Sequence, residues 1–150
     1  MTSVQCITVD EAFSAAEFPA LLAEYAAESA IDGLPAPAPS VERYRQVEAS
    51  GVMHLLCSFT GGVITGFIVL LVSNIPHYNA VVATTESYFV GHAHRDTGAG
   101  LKLLRAAEAV ATDQGAVGIL VSTPVEGRLV KVLPKSGYTG SNMVFFRGLT

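Results

Sequence analysis

The strongest constraint on the fold is the apolar run VITGFIVLLV, residues 63–72, which directly follows the glycine pair Gly61-Gly62. The run is about half the ~20 residues that a membrane-spanning helix needs. Its β-branched residues and the preceding turn residues are typical of a strand buried on both faces. Such a strand needs other elements packed against both faces of its sheet, so we expect a layered fold.

The rest of the chain supplies strands and helices in an order that predicts a mixed sheet with helices on its faces. The predicted strands are 4–9, 52–59, 63–72, 81–90, 117–122 and 142–149, and the predicted helices are 18–30, 40–51, 100–115 and 126–137. In the helix 100–115, Leu101, Leu104 and Ala111 share one face, which predicts that they pack on the sheet.

The composition narrows the classes of protein that this chain can represent. Its 150 residues suffice for a single domain, 1–150, and 50% hydrophobic with 15% charged residues exclude disorder. A net charge of −4 argues against a nucleic-acid partner, which needs clustered Lys and Arg. No secretory signal or membrane segment is visible, so we expect a cytoplasmic protein without a membrane partner. Cys6 and Cys57 are predicted to be buried free thiols.

The stretch VGHAHRDTGAGLKLL, residues 90–104, connects a predicted strand to the clearest helix of the chain. The first N–H groups of a helix lack internal acceptors and carry the positive end of its dipole. Gly98 and Gly100 have no Cβ to hinder close approach, and Arg95 can add a charge-assisted contact to an anion. The stretch is therefore either a phosphate-binding loop or a turn in which glycine only relieves strain.

Other interpretations of this stretch fail on particular residues. A dinucleotide-binding fingerprint needs Gly or Ala where Leu103 stands, and the Walker loop needs a Gly-Lys-Ser/Thr step that the sequence lacks. His92, His94 and Asp96 resemble the opening of the zinc motif in metallo-β-lactamase-like hydrolases. Thr97 replaces the next ligand of that motif, and no histidine follows His94. We therefore predict no metal, with the histidines as ordinary loop side chains.

The spacing of Arg95, Gly98 and Gly100, after a strand and before an amphipathic helix, resembles motif A of the GNAT family of N-acetyltransferases. The closing segment LPKSGYTGSNMVFFRGL and the order of elements also resemble that family, most closely over residues 81–138. The resemblance implies an α/β (α+β) GNAT fold, a mixed central sheet of about six to seven strands with helices on both faces.

The resemblance implies acetyl-CoA as co-substrate, bound where the parallel strands 84–90 and 117–122 splay apart. The backbone of Phe89 and Val90 would bind its pantetheine arm as an added strand does. Its pyrophosphate would lie on the loop N–H groups, which implies the residues Arg95, Asp96, Thr97, Gly98, Ala99, Gly100 and Leu101.

The implied reaction is attack of a neutral amine on the thioester, and a base helps because amines are mostly protonated at neutral pH. Glu86 is the only carboxylate on the strand before the loop, two residues nearer the loop than the family's commoner position, here Thr84. We predict Glu86 as the base; the alternative is a solvated strand carboxylate. Leu133 replaces the family's usual acidic Tyr, which leaves Tyr138 and Tyr88 as the remaining candidates for the acid.

By the same resemblance, the amine acceptor would bind against the first two helices and their loop. Residues 28–40 would line its pocket, and Glu28 and Asp32 would attract a cationic amine. A small molecule, an antibiotic, a peptide N-terminus and a protein lysine all stay open as acceptors, and exposed strand edges allow a homodimer. The leading prediction is an acetyl-CoA-dependent N-acetyltransferase. The alternatives are a catalytically inactive GNAT-fold CoA-binding or structural module, and a zinc hydrolase.

Overall fold

The apolar run forms the central strand of a sheet whose five strands follow one another in chain order. The computed structural model describes residues 1–149. The strands are β1 (Thr2–Ile7), β2 (Met53–Thr60), β3 (Val63–Ile75), β4 (Ala80–Val90) and β5 (Ile119–Leu120). Neighbours from β1 to β4 are antiparallel, and β5 pairs with β4 in parallel, so the sheet is mixed as predicted.

Five helices surround this sheet: α1 (Val9–Ser14), α2 (Phe18–Ser29), α3 (Val41–Ala49), α4 (Ala99–Asp113) and α5 (Leu129–Val132). α1 starts with a capping box, in which the Thr8 side chain accepts from the Glu11 N–H and the Glu11 carboxylate accepts from the Thr8 N–H. The predicted turn between β2 and β3 has Gly61 and Gly62 at φ +59° and +82°. Glycine tolerates both values, which suit a two-residue hairpin turn.

The two faces of the sheet are covered by different helices. α1 and α2 cover one face, where the buried side chains include Val9, Phe18, Leu21, Phe67 and Phe89. α4 covers the other face, where they include Ile68, Leu70, Leu103, Leu104 and Ala107. Burying each such large aliphatic or aromatic side chain contributes about 1.5–3 kcal/mol, so both layers hold the sheet in place.

β4 contains one residue more than the part of β3 that it pairs with. Ser87 lies opposite Val69 and Thr85 lies opposite Leu70, so Glu86 has no partner in β3. Such a β-bulge shifts the alternation of side chains along the strand. The β4 residues that pack on the α4 side are therefore odd-numbered before the bulge and even-numbered after it: Val81, Ala83, Tyr88 and Val90.

The predicted last strand, 142–149, is not formed, which is why the sheet has five strands over residues 1–149 rather than six to seven. Residues 139–149 have no regular structure, and Met143 and Val144 are exposed. The Phe146 ring lies against Gly33, 2.9 Å from where a Cβ of that residue would stand. The segment is thus held at the loop after α2 instead of pairing along the edge of β5.

Three smaller predictions are also wrong. β5 is only two residues long and lies at the sheet edge, so Val117 is 77% exposed rather than buried. Leu101 is exposed, because the face of α4 that packs on the sheet runs through Leu103 and Leu104. Cys6 is exposed at the edge strand, whereas Cys57 is buried as predicted. Within residues 1–149, no helix has both the length and the hydropathy that a membrane crossing requires.

Candidate active site

β4 and β5 pair over two residues and then separate. The last pair is Thr84 with Leu120, followed by a hydrogen bond of 3.1 Å from the Ser122 N–H to the Thr85 hydroxyl. A cavity of about 580 Å³ lies in the opening beyond them. The end of β4, the start of α4 and the segment before α5 form its walls, which include Tyr88, Phe89, Val90, Gly98, Gly100, Leu101, Thr123 and Arg128. The opening lies where the sequence analysis expected acetyl-CoA.

α4 begins at the wall of this larger cavity. Gly98 precedes the helix at φ +81°, a left-handed conformation that glycine adopts without strain. The N–H of Lys102 donates to the Gly98 carbonyl at 3.1 Å and closes the first turn. The N–H groups of Gly100 and Leu101 precede that bond, so they lack an acceptor in the helix and present its positive end.

The two glycines leave open space beside these N–H groups. A Cβ on Gly98 would meet no atom within 4 Å, and one on Gly100 would be 3.5 Å from the Tyr88 hydroxyl. The Thr97 hydroxyl donates to the His94 carbonyl at 2.6 Å and accepts from the Ala99 N–H at 3.3 Å. The loop is therefore ordered by its own hydrogen bonds while the glycine side stays accessible. Asp96, also predicted to bind the cofactor, is exposed on the loop.

The Arg95 side chain folds back from the loop toward α2. Its Nε donates to the Val90 carbonyl at 3.0 Å, and its Nη2 donates to Glu28 at 2.7 Å. The guanidinium also lies 5.3 Å from the centre of the Phe89 ring, within cation–π range. Arg95 thus fixes the loop to β4 and α2, in addition to lining the larger cavity.

His92 connects the same loop to two carboxylates of α2. Its Nδ1 lies 3.1 Å from Glu24 and its Nε2 lies 2.7 Å from Glu28. Although burial alone would raise the pKa of Glu28, the hydrogen bonds from Arg95 and His92 hold that pKa below its ordinary value. Glu28 therefore binds the loop rather than an acceptor. In the part of the chain that the structure describes, no three His, Cys, Asp or Glu side chains gather as a metal site requires.

We expect the Glu28→Gln variant to be less stable than the parent at pH 7, by about 0.2–1 kcal/mol because the pair is partly screened by solvent. A pKa that is lower in the folded state contributes stability above the unfolded value of 4.5, and this contribution is lost as the pH falls through the folded pKa. The difference between the two proteins should therefore shrink below pH 4.5, as measured by urea unfolding. Asp32→Asn, on the neighbouring loop, should show no such pH-dependent difference.

A second cavity, of about 300 Å³, lies on the other face of the sheet, between β3–β4 and helices α1 to α3. Its walls are mostly apolar, and they include Phe13, Phe18, Leu22, Tyr25, Ala26, Pro37, Pro39, Tyr44 and Phe67. Glu86 and Ser87 line it from the β4 bulge. The loop after α2 contributes through its prolines and Ser29, whereas Asp32 is exposed on that loop and is not among the lining residues.

Tyr44 of α3 holds the Glu86 carboxylate. The Tyr44 hydroxyl lies 2.9 and 3.1 Å from the two carboxylate oxygens, so it can donate to either. Burial raises the pKa of Tyr44, and the neighbouring Glu86 charge raises that pKa further. Tyr44 therefore stays a protonated donor. Burial and the same carboxylate also raise the pKa of Tyr25, on the wall of the cavity.

The two tyrosines predicted as acids have hydroxyls that are already engaged. Tyr88 lines the larger cavity, but its hydroxyl donates to the Gly100 carbonyl at 2.6 Å, and burial raises its pKa to about 12. The Tyr138 hydroxyl donates to Glu108 on α4 at 2.9 Å. Leu133, at the position of the family's usual Tyr, is buried. The structure thus brings Glu86 and Tyr88 to the two cavities, and Tyr138 packs on α4 instead.

Sequence reasoning missed Tyr44 and Ser87. α3 is polar except for Val41, Tyr44 and Val47, which recur at helical spacing and could have indicated its inward face. Ser87 carried no signal, because its direction depends on the bulge at Glu86 and therefore on the register with β3.

A family model supports the assignment of the fold. The acetyltransferase (GNAT) family model matches residues 19–138 of this chain. A search of curated proteins gives no significant match.

Solved structures of several acetyltransferases resemble this one over nearly their whole length. A ribosomal-protein-alanine N-acetyltransferase from Brucella melitensis biovar Abortus 2308 has a TM-score of 0.73 at 16% identity, covering 98% of this chain and 97% of that one. An aminoglycoside acetyltransferase from an uncultured soil metagenomic sample, in complex with sisomicin, has a TM-score of 0.76 at 14% identity, covering 99% and 97%. Glucosamine-6-phosphate N-acetyltransferase from Arabidopsis thaliana has a TM-score of 0.76 at 12% identity, covering 100% and 99%.

Proposed function

Since the chain belongs to the acetyltransferase (GNAT) family and is thus an acetyl-CoA-dependent N-acetyltransferase, we propose that its two cavities divide the reaction between them. The larger cavity between β4 and β5 would bind acetyl-CoA. The smaller cavity under α1 to α3 would bind the amine. The two would meet at the bulge of β4.

The observation that carries this proposal is that consecutive residues of one strand line both cavities. Glu86 and Ser87 line the smaller cavity, and Tyr88, Phe89 and Val90 line the larger. Adjacent residues in a strand are about 3.3 Å apart along its axis. An amine held near Glu86 would therefore lie within a few ångströms of a thioester held at Tyr88 and Phe89.

The residues of the larger cavity fit acetyl-CoA. Residues 86–90 pair with β3 on one side but have no strand partner on the β5 side, so the backbone of Phe89 and Val90 is available to a pantetheine arm. The N–H groups of Gly100 and Leu101, with the open space at Gly98, would bind the pyrophosphate. Acetyl-CoA supplies the activated acyl group.

Glu86 would act as the base for the incoming amine. Ammonium groups of lysine type have a pKa near ~10.4 and must lose a proton before they attack a thioester. The Glu86 carboxylate is exposed at the cavity, and Tyr44 holds both its oxygens in place. Glu86 would accept the proton directly or through one water molecule.

No tyrosine is needed as the acid in this proposal. The Tyr88 hydroxyl is bound to the start of α4 and the Tyr138 hydroxyl to the middle of that helix. A thiol with a pKa near ~8.5 is a good leaving group without a dedicated proton donor. Tyr88 would instead position the glycine loop through Gly100.

Calorimetric titration of the protein with acetyl-CoA, beside free CoA, tests the cofactor site first. We expect saturable binding of one ligand per chain for both, because the proposed contacts are with the CoA portion. The acetylation test follows with a panel of amines. An absence of binding at millimolar acetyl-CoA would overturn the assignment of the larger cavity.

A further inference from the structure

We infer that the acceptor is a small primary amine with a single positive charge and an apolar body, such as an aryl-alkyl or branched alkyl amine. This inference rests on the proposed function of the smaller cavity, and it goes further by naming the chemical class that the cavity selects.

The walls of the smaller cavity are built for an apolar body. Five aromatic side chains contribute to them: Phe13, Phe18, Tyr25, Tyr44 and Phe67. The rings of Phe18 and Tyr25 both pack edge-on against Phe67, at 5.5 Å between centroids, so the wall is continuous. Pro37 and Pro39 add apolar surface from the loop. A volume of about 300 Å³ is at the lower end for ligand sites, which favours a small molecule.

The charge of this cavity selects one ammonium group. Glu86 is the only charged residue among the residues that line the cavity, and they include no Lys, Arg or His. A phosphorylated or carboxylated acceptor would therefore bury an anion without a counterion, which is costly. A polyamine or an aminoglycoside would place further ammonium groups against apolar walls without partners.

Ser87 supplies a second polar contact beside Glu86. Ser87 is 5% exposed, and its Oγ is buried without a hydrogen-bond partner within residues 1–149. It lies opposite Val69, and both residues line the smaller cavity. A buried hydroxyl without a partner is costly, and an amine nitrogen bound next to Glu86 would satisfy it. The polar groups are thus confined to the bulge, and the remainder of the cavity is left for hydrocarbon.

Steady-state kinetics with acetyl-CoA and a matched panel of amines test this inference. The panel comprises n-alkylamines from ethylamine to pentylamine, 2-phenylethylamine, ethanolamine, spermidine, an aminoglycoside and glucosamine 6-phosphate. We expect kcat/KM to rise about threefold to fourfold for each added methylene, following the burial of apolar surface. The phenyl compound should exceed ethanolamine by at least about tenfold on the same basis. Higher kcat/KM for the polycations or the sugar phosphate would overturn the inference and leave the acetyltransferase assignment intact.

A pair of variants in α2 provides the matched control. Ala26 lines the smaller cavity, whereas its neighbour Ala27 is exposed and lies outside it. Ala26→Leu should fill the cavity and lower kcat/KM for 2-phenylethylamine by about tenfold or more, with little change for ethylamine. Ala27→Leu should leave both values unchanged, and both variants should bind acetyl-CoA like the parent. Equal effects of the two substitutions would contradict the assignment.

Binding alone decides the inference if no amine in the panel is acetylated. Calorimetric titration of the CoA-bound protein with 2-phenylethylamine should then show saturable binding that Ala26→Leu weakens and Ala27→Leu does not. An absence of amine binding to a protein that binds acetyl-CoA would reject the acceptor class. If acetyl-CoA also fails to bind, the proposed function fails, and the same titration without CoA judges the cavity by itself.

Discussion

The Gly100→Gln variant is expected to lose acetyl-CoA binding, with a rise in Kd of about 100-fold or more. Gly100 lines the larger cavity at the first turn of α4, and its N–H is one of those proposed to bind the pyrophosphate. A long side chain there would occupy the space that the phosphates need. Each charge-assisted hydrogen bond lost costs about 1.5–3 kcal/mol, and two of them account for the expected factor. Calorimetry with acetyl-CoA measures the loss.

The fold of this variant should be retained or slightly strengthened. A Cβ at position 100 would be 3.5 Å from the Tyr88 hydroxyl and 3.7 Å from a Val90 methyl group, which are ordinary contacts. Gln also favours a helix over Gly by about 0.5–1 kcal/mol. Gly100→Ala is the control, since it adds the Cβ alone and should bind acetyl-CoA within a few fold of the parent. Parental affinity in Gly100→Gln would remove the pyrophosphate from this loop.

The Gly98→Gln variant makes a less clean test of the same loop. Gly98 has φ +81°, so any side chain there strains the backbone and lowers stability as well as blocking the space beside the helix. The effect on binding would then combine two causes, which is why position 100 is the better choice.

The Glu86→Gln variant is expected to lower kcat by about 100-fold or more, the usual range for loss of a general base. The amide keeps the size of the side chain and can still accept from Tyr44, but it cannot take a proton from the amine. The Kd of acetyl-CoA should not change, because Glu86 lines the other cavity. The rate difference from the parent should narrow as the pH approaches the pKa of the amine near ~10, where free amine is abundant.

Two further variants separate a base from a carboxylate that only attracts the amine. Tyr44→Phe removes the hydrogen bonds that position Glu86 and should lower kcat less than Glu86→Gln does. Asp32→Asn removes a charge from the loop that the sequence analysis had assigned to the acceptor, and it should have no effect on kcat. An unchanged pH–rate profile in Glu86→Gln would take Glu86 out of the mechanism.

The local features of this fold could be predicted from the sequence because short-range rules decide them. The turn at Gly61 and Gly62, the N-cap Ser40 of α3 and the start of α4 after Gly98 all follow from residue type and spacing. The family resemblance added the position of the cofactor opening. None of these required knowledge of how distant segments pair.

The features that could not be predicted depend on contacts between distant residues. Tyr44 meets Glu86 across 42 positions of sequence, and Glu28 meets Arg95 across 67. The segment 142–149 has strand composition, yet Phe146 packs on Gly33 and no ladder forms. The direction of Ser87 depends on one unpaired residue in β4. Propensity describes what a segment can adopt, and tertiary packing chooses among the options.

The bulge at Glu86 makes β4 tolerant of replacement but not of a change in length. Loss of one codon there would restore simple alternation, so Tyr88 would move to the amine side and Phe89 to the α4 side. Both chambers would be rebuilt at once. Substitutions in α2, α3 or the proline loop reach one chamber only. Acceptor choice can therefore diversify over generations through point changes in the first third of the chain, while cofactor use is inherited unchanged.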